Sequence, residues 1–291
     1  TLAGLARLEL TEPQLEAYRQ VALVEPLQRN LALKKQRMET VLQAYANASG
    51  EGAAAEVTTA ATARTAALYQ DFGRALMSSQ RPRGLGKAAL EQYNVMLEEQ
   101  AFPFEEKAIE LHEANARRTT QGVYDEAVRQ SLTALAALKP VRWGKAERGD
   151  AAPASETPLA RQERLNQMEK AAQASPRDAE GWARLGLAQR QAGRFAQARA
   201  AYERALSLDA QQAAPTLNLA ILHDLYLGEP QAAIGLYERF ATLAPAEAAT
   251  VNRWVAELKQ RQARSAAQGP SATAANTARA TSSSPPQENP R

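Results

Sequence analysis

The chain has no cysteine, which removes disulfides, thiolate nucleophiles, zinc ribbons and iron–sulfur clusters in one step. A cysteine-free composition fits an oxidising compartment. Histidine is limited to His112 and His223, so an imidazole base or ligand has two places to come from. No H-E-x-x-H, G-x-S-x-G or G-x-x-x-x-G-K-[ST] motif occurs; no catalytic residue, metal or cofactor is expected. Aromatic residues make up only 5% and alanine is the commonest residue, which favours closely packed helices over sheets rich in valine, isoleucine and aromatics. No apolar run approaches the roughly 18–20 residues that span a bilayer, so no transmembrane segment is expected.

Charge of a single sign is also missing. The 35 Lys and Arg against 32 Asp and Glu leave a formal +3, with the signs interspersed along the chain. That is a poor footprint for nucleic acid, and no nucleic-acid partner is expected. The sequence starts at Thr1 rather than Met and reads as a processed form or a fragment, from which a signal peptide or lipid anchor would have been lost.

What is present is helical pattern, in three zones and a tail. Residues 1–143 read as an array of antiparallel helices in "TEPQLEAYRQVALV", "PLQRNLALKKQRMETVLQAYANAS", "AAAEVTTAATARTAALYQDFGRALMSS", "KAALEQYNVMLEEQ", "FPFEEKAIELHEANARR" and "VYDEAVRQSLTALAAL", separated at short Gly or Pro marks. Residues 144–158, "GKAERGDAAPASETP", have no apolar period and read as a linker or long loop. Helices resume over 159–264. The Ala, Ser, Thr and Pro of 265–291 offer no anchor for a core and predict a disordered tail.

The internal repeat decides the architecture. In "AEGWARLGLAQRQAGRFAQARAAYERALSLDA", Trp182, Leu185 and Gly186 are followed by Gly193, Ala198, Tyr202 and Ala205, which resembles the tetratricopeptide pattern at its usual spacing. The reason is steric: Gly186 and Ala198 let two helices approach, Trp182 and Tyr202 fill the remaining gap, and Gly193 allows a tight turn. A second copy follows at about 213–247, with Leu219, Ala220, Ala233, Tyr237 and Pro245 in register. One extra residue around "LYLGEP" predicts a looser turn there. Ahead of the first copy, at about 179–212, Met168, Ala171 and Pro176 mark a half repeat; behind the second, Val251, Trp254, Val255 and Leu258 give a capping helix its apolar side. Ile109 to Arg142 fits the same frame through Val128, Leu132, Leu135 and Pro140, without the signature large and small residues. The expected fold is all-α: a right-handed α-solenoid of tetratricopeptide and similar helical hairpins, with a C-terminal capping helix and a disordered tail.

The phrases "YQDFGRALMSSQRPRGL", "LEEQAFPFEEKAIELHEANARR" and "GVYDEAVRQSLTALAALKPVRW" resemble the C-terminal part of a family of bacterial tetratricopeptide proteins, over about residues 10–264. The resemblance implies a Gram-negative cell-envelope or periplasmic setting, a cytoplasmic one being the alternative. It also implies partners among TonB, ExbB and ExbD or Tol-like energy transducers.

Two stretches invite a chemical reading. Residues 98–118 hold Glu98, Glu99, Glu105, Glu106, Glu110, His112 and Glu113, but at roughly 100° per residue Glu106, Glu110, Glu113 and Arg117 form one stripe and His112 projects away from it. A helical di-iron site would need Glu-x-x-His, and Ile109 stands three before His112. "RPRGLGKAA" at 81–89 follows no strand and fits no nucleotide motif, so it reads as a basic inter-helix turn. His223 reads as a packing residue.

The function expected of such a fold is protein binding on the concave face lined by the first helix of each repeat. The frame places Glu180, Ala183, Leu187, Arg190 and Gln191 there, then Leu217, Ile221 and Asp224, with Glu110, Glu113 and Arg117 as the matching wall of the first zone. Ala183 and Leu187 occupy places where chaperone-type carboxylate clamps carry polar or basic residues, which disfavours that mode. The expectation is a non-enzymatic interaction scaffold; the alternatives are a helical accessory module of a larger enzyme or transducer chain, and a cytoplasmic adaptor.

Overall fold

The computed structural model describes residues 2–150 and 156–267. Residues 151–155 of the expected loop and 268–291 of the expected tail lie outside the described residues; the first tail residues, 265–267, instead continue the last helix. The described residues contain helices and turns and no strand.

Helices α1 (Leu2–Glu9), α2 (Glu12–Arg19), α3 (Leu27–Ala48), α4 (Ala55–Met77), α5 (Lys87–Arg117), α6 (Glu126–Leu138) and the single turn α7 (Pro140–Trp143) form the N-terminal part. α2 stops earlier than its sequence pattern suggests: Leu23 leaves the helix, is buried, and accepts a hydrogen bond from the Gln80 amide at 2.8 Å. Small residues along α4, among them Ala61, Ala66 and Gly73, bring α5 close enough for Phe72 and Phe104 to meet at 4.6 Å between ring centroids. Arg81 ties the basic turn down, donating from Nε to Asn94 Oδ1 at 2.8 Å.

The expected break near Pro103 does not occur, and α5 runs through it for 31 residues. Proline forfeits one helical hydrogen bond. Here the Pro103 side of the helix is exposed, so water can serve the freed carbonyl, while buried Ala101 and half-buried Phe104 hold the helix on α4. α5 therefore enters the hairpin with α6 as one long element. That hairpin has Ala116, Val128 and Leu135 buried, yet α3, α4 and α5, at 22, 23 and 31 residues, far exceed the 13 and 14 residues of the repeat helices that follow.

Those helices are α8 (Pro158–Ala174), α9 (Ala179–Gln191), α10 (Phe195–Leu208), α11 (Ala213–Ile221), α12 (Pro230–Leu243) and α13 (Ala248–Ala267). Asp178 caps α9 by accepting the Gly181 amide at 2.9 Å. Gly186 lies against the Tyr202 ring so tightly that a Cβ there would come within 2.7 Å of it. α13 closes the end by burying Val251, Val255 and Leu258.

The extra residue of the second repeat is absorbed as a π-helical turn over Leu222–Leu227, closed by Gly228 at φ 68°. Within it His223 is buried and its Nδ1 meets Glu229 Oε2 at 2.7 Å. The N-terminal part packs across the ends of the repeats. Thr119 Oγ1 reaches the Tyr226 carbonyl at 2.9 Å, and Tyr124 meets Phe195 at 5.1 Å and Tyr226 at 6.1 Å between centroids.

Candidate interaction site

The first helices of the two repeats, α9 and α11, present one shared surface, and part of that surface is already covered. Residues 144–150 carry no helix and cross it as an irregular strap that bends at Arg148 and Gly149. Asn218, on α11, grips the backbone of this strap: its Oδ1 accepts the Arg148 amide at 2.7 Å and its Nδ2 donates to the Arg148 carbonyl at 2.8 Å. Arg190 Nε donates to Glu147 Oε1 at 2.7 Å, with the two side chains only 14% and 9% exposed. Gln191 Nε2 donates to the Asp150 carbonyl at 3.3 Å. Gly149 has φ +119°, and a Cβ there would stand 2.7 Å from Leu187 Cδ2. Only glycine takes that backbone region readily, and it leaves room for Leu187.

The start of the strap is anchored by charge. Asp224, in the π-helical turn, is fully buried and pairs with Arg142 at 2.8 Å, with Lys145, and with Arg261 of α13 at 3.3 Å. Tyr237 Oη donates to Asp224 Oδ2 at 3.3 Å; burial, then the Asp224 charge, push the Tyr237 phenol well above its usual range and keep it a neutral donor. Burial pulls the Lys145 ammonium and the Arg142 guanidinium below their ordinary values, and Asp224 opposes that in both. Three cations thus surround one carboxylate.

Beside the strap a cavity of about 510 Å³ stays open, lined in part by Glu180, Ala183, Leu187, Gln191 and Pro215, with Arg148 to Asp150 along one side. The structure therefore brings four of the residues named from the repeat frame to one cavity. Arg190 stands next to them and is engaged by Glu147. Leu217 and Ile221 belong elsewhere: each is 1% exposed and packs in the core shared with α12 and α13, so neither offers surface to a partner. Asp224 is likewise covered, by the strap. Glu110, Glu113 and Arg117 do not join this site. Glu110 pairs with Lys107 at 2.7 Å, Glu113 with Lys139 at 3.5 Å, and Arg117 is exposed on α5.

The acidic stretch around His112 does not assemble a metal site; no group of three or more His, Asp or Glu side chains among the described residues is placed to hold a metal ion. His112 turns into the bundle, 3% exposed, and burial lowers its pKa to about 4. No described helix is long and apolar enough to cross a membrane.

Asn218, Arg142, Lys145 and Glu147 complete the site and were not singled out by the sequence. Asn218 did leave a signal: it is a polar residue inside the apolar run "PTLNLAIL", where a buried amide needs partners. The two strap residues left none.

Consecutive packed helical hairpins define a helical-repeat protein, an all-α solenoid. In agreement, the family model of the tetratricopeptide repeat matches residues 179–211, which span α9 and α10. The chain thus carries a tetratricopeptide repeat, a module of protein–protein interaction. A comparison with curated proteins found no match.

Proposed function

We propose that the chain is a non-enzymatic scaffold whose inner tetratricopeptide face receives a segment of a partner protein within a bacterial envelope complex. The observation that carries this reading is that the face already holds non-helical backbone through Asn218 while a cavity of about 510 Å³ remains open beside it. Such a groove combines main-chain hydrogen bonds, which give affinity to any extended segment, with side-chain pockets that select among them. The envelope setting, periplasmic, and partners of the TonB, ExbB, ExbD or Tol-like kind rest on the resemblance of residues 10–264 to the envelope family.

The test is a photo-crosslinking residue placed at Ala183, inside the cavity, and at Arg253, on the outer side of α13, in cells that produce the protein natively. A defined protein crosslinked from Ala183 and not from Arg253 is the expected result. Crosslinks from Arg253 alone would move the interaction surface away from the repeats. Fractionation of the same cells tests the location: recovery in the cytoplasm would remove the envelope part of the proposal.

A further inference from the structure

We infer that residues 145–149 are a built-in ligand that closes the groove in cis, and that the partner displacing them carries an extended segment with an acidic residue two positions before a glycine. The inference rests on the reading that this face binds polypeptide in trans, and it names the chemistry and the regulation of that binding.

The determinants separate into required and dispensable contacts. When the strap leaves, Arg190 loses Glu147, its one carboxylate partner among the described residues, and keeps Tyr226, whose hydroxyl is 3.4 Å away and whose ring lies 5.3 Å from the guanidinium. A buried cation without a counter-charge is costly, so an incoming segment must bring an acid to that place. Asn218 needs a backbone amide and carbonyl one residue later, which any extended chain supplies. The next position has φ +119°, a backbone region that only glycine adopts readily, and a Cβ there would also press on the Leu187 Cδ2 methyl at 2.7 Å; the backbone conformation is what selects glycine. Lys145 is different. Asp224 retains Arg142 and Arg261 without it, so a lysine in the partner is not required.

The same layout explains how the groove stays closed and how it opens. The strap is tethered between α7 and α8, and a short tether of this kind gives an effective concentration on the order of millimolar. A free segment at micromolar concentration competes poorly against that. The cavity beside Gly149 and Leu187 is not filled by the strap; a longer partner segment can settle there first and then replace residues 147–149 one contact at a time.

The experiment uses the full chain and a fluorescent peptide of the strap sequence WGKAERGD, followed by fluorescence polarisation. Wild type should bind the peptide weakly. Gly149→Val, which spoils the strap and leaves every groove residue in place, should bind it at least about tenfold more tightly, and Glu147→Gln should act in the same direction. Adding Arg190→Ala to Gly149→Val should remove the gain, as should peptides with the glutamate or the glycine replaced. Circular dichroism and a cooperative melt establish that each variant is folded. Folded strap variants that bind no better than wild type, or that bind a scrambled peptide equally well, would overturn the inference. So would a wild-type dimer that the peptide dissolves, because the strap would then pass between copies. If the peptide behaves as expected but Ala183 crosslinks to nothing in cells, the scaffold reading fails and closure in cis stands. If Ala183 crosslinks a partner whose yield Gly149→Val does not raise, and the peptide does not bind, closure in cis fails alone.

Discussion

Asn218 and Arg148, 70 residues apart, are joined as two residues of neighbouring β-strands would be: the side-chain amide of one satisfies both the N–H and the C=O of the other, at 2.7 and 2.8 Å. A side chain thus does the work of a sheet edge. The consequence is that one residue of an otherwise irregular loop is fixed in register on the repeat surface, and its neighbours Glu147 and Gly149 are presented to Arg190 and Leu187. Asn218→Ala should leave those two backbone groups without a protein partner, at a cost of about 1–3 kcal/mol. The Arg148 amide should then exchange with deuterium markedly faster, and trypsin should cut after Lys145 and Arg148 earlier than in wild type.

Asp224 has a larger role in stability than in binding. Its removal in Asp224→Ala takes away the carboxylate that Arg142, Lys145 and Arg261 share and leaves only Glu257, 3.7 Å from Arg261, to offset the three among the described residues. Breaking a buried network from its single-charge side costs about 3–5 kcal/mol, read as a lower urea midpoint with an unchanged slope. Lys145→Met should cost far less, because Asp224 keeps two cations. Equal losses from the two variants would contradict the assignment of Asp224 as the hub.

Gly186 and Tyr202 set the separation of α9 and α10. Gly186→Val puts a branched side chain where a single Cβ would already stand 2.7 Å from the ring, and overpacking of this kind costs about 1–3 kcal/mol. The melting temperature should fall while helical content at low temperature is unchanged. A Tyr202→Leu change made with it, opening space at the ring, should recover part of the loss.

How far the sequence reveals all this depends on what each residue touches. Gly186, Ala198 and Tyr202 are legible because helix pairs of one size demand small and large residues at fixed spacing. The extra residue near Leu227 is legible as a disturbance; that it becomes a π-helical turn, which carries buried Asp224, is decided by packing. Pro103 misleads, since proline usually marks an end and here sits on the wet side of a helix held by α4. Leu217 and Ile221 also mislead: the frame puts them on the inner face, but the neighbouring α12 and α13 supply enough apolar surface to bury them. Lys145, Glu147 and Gly149 are silent in the sequence. They lie in a polar stretch with no period, and their meaning comes from Asp224, Arg190 and Leu187, far away along the chain.

His112 gives the N-terminal part a pH dependence with a definite sign. It is buried, its Nε2 lies 3.4 Å from Gln70 Oε1 of α4, and burial lowers its pKa from 6.5 to about 4. Below pH 6.5 the unfolded chain therefore takes up a proton that the folded chain refuses. Stability is fully present above pH 6.5 and declines as pH falls towards 4, by up to about 3 kcal/mol from this one group, and no further below that. His112→Leu removes the titrating group. Its unfolding free energy, measured in urea at pH 7, 5.5 and 4.5, should fall less steeply with acid than that of wild type. Parallel slopes for the two proteins would show that His112 is not the source of the acid sensitivity in this window.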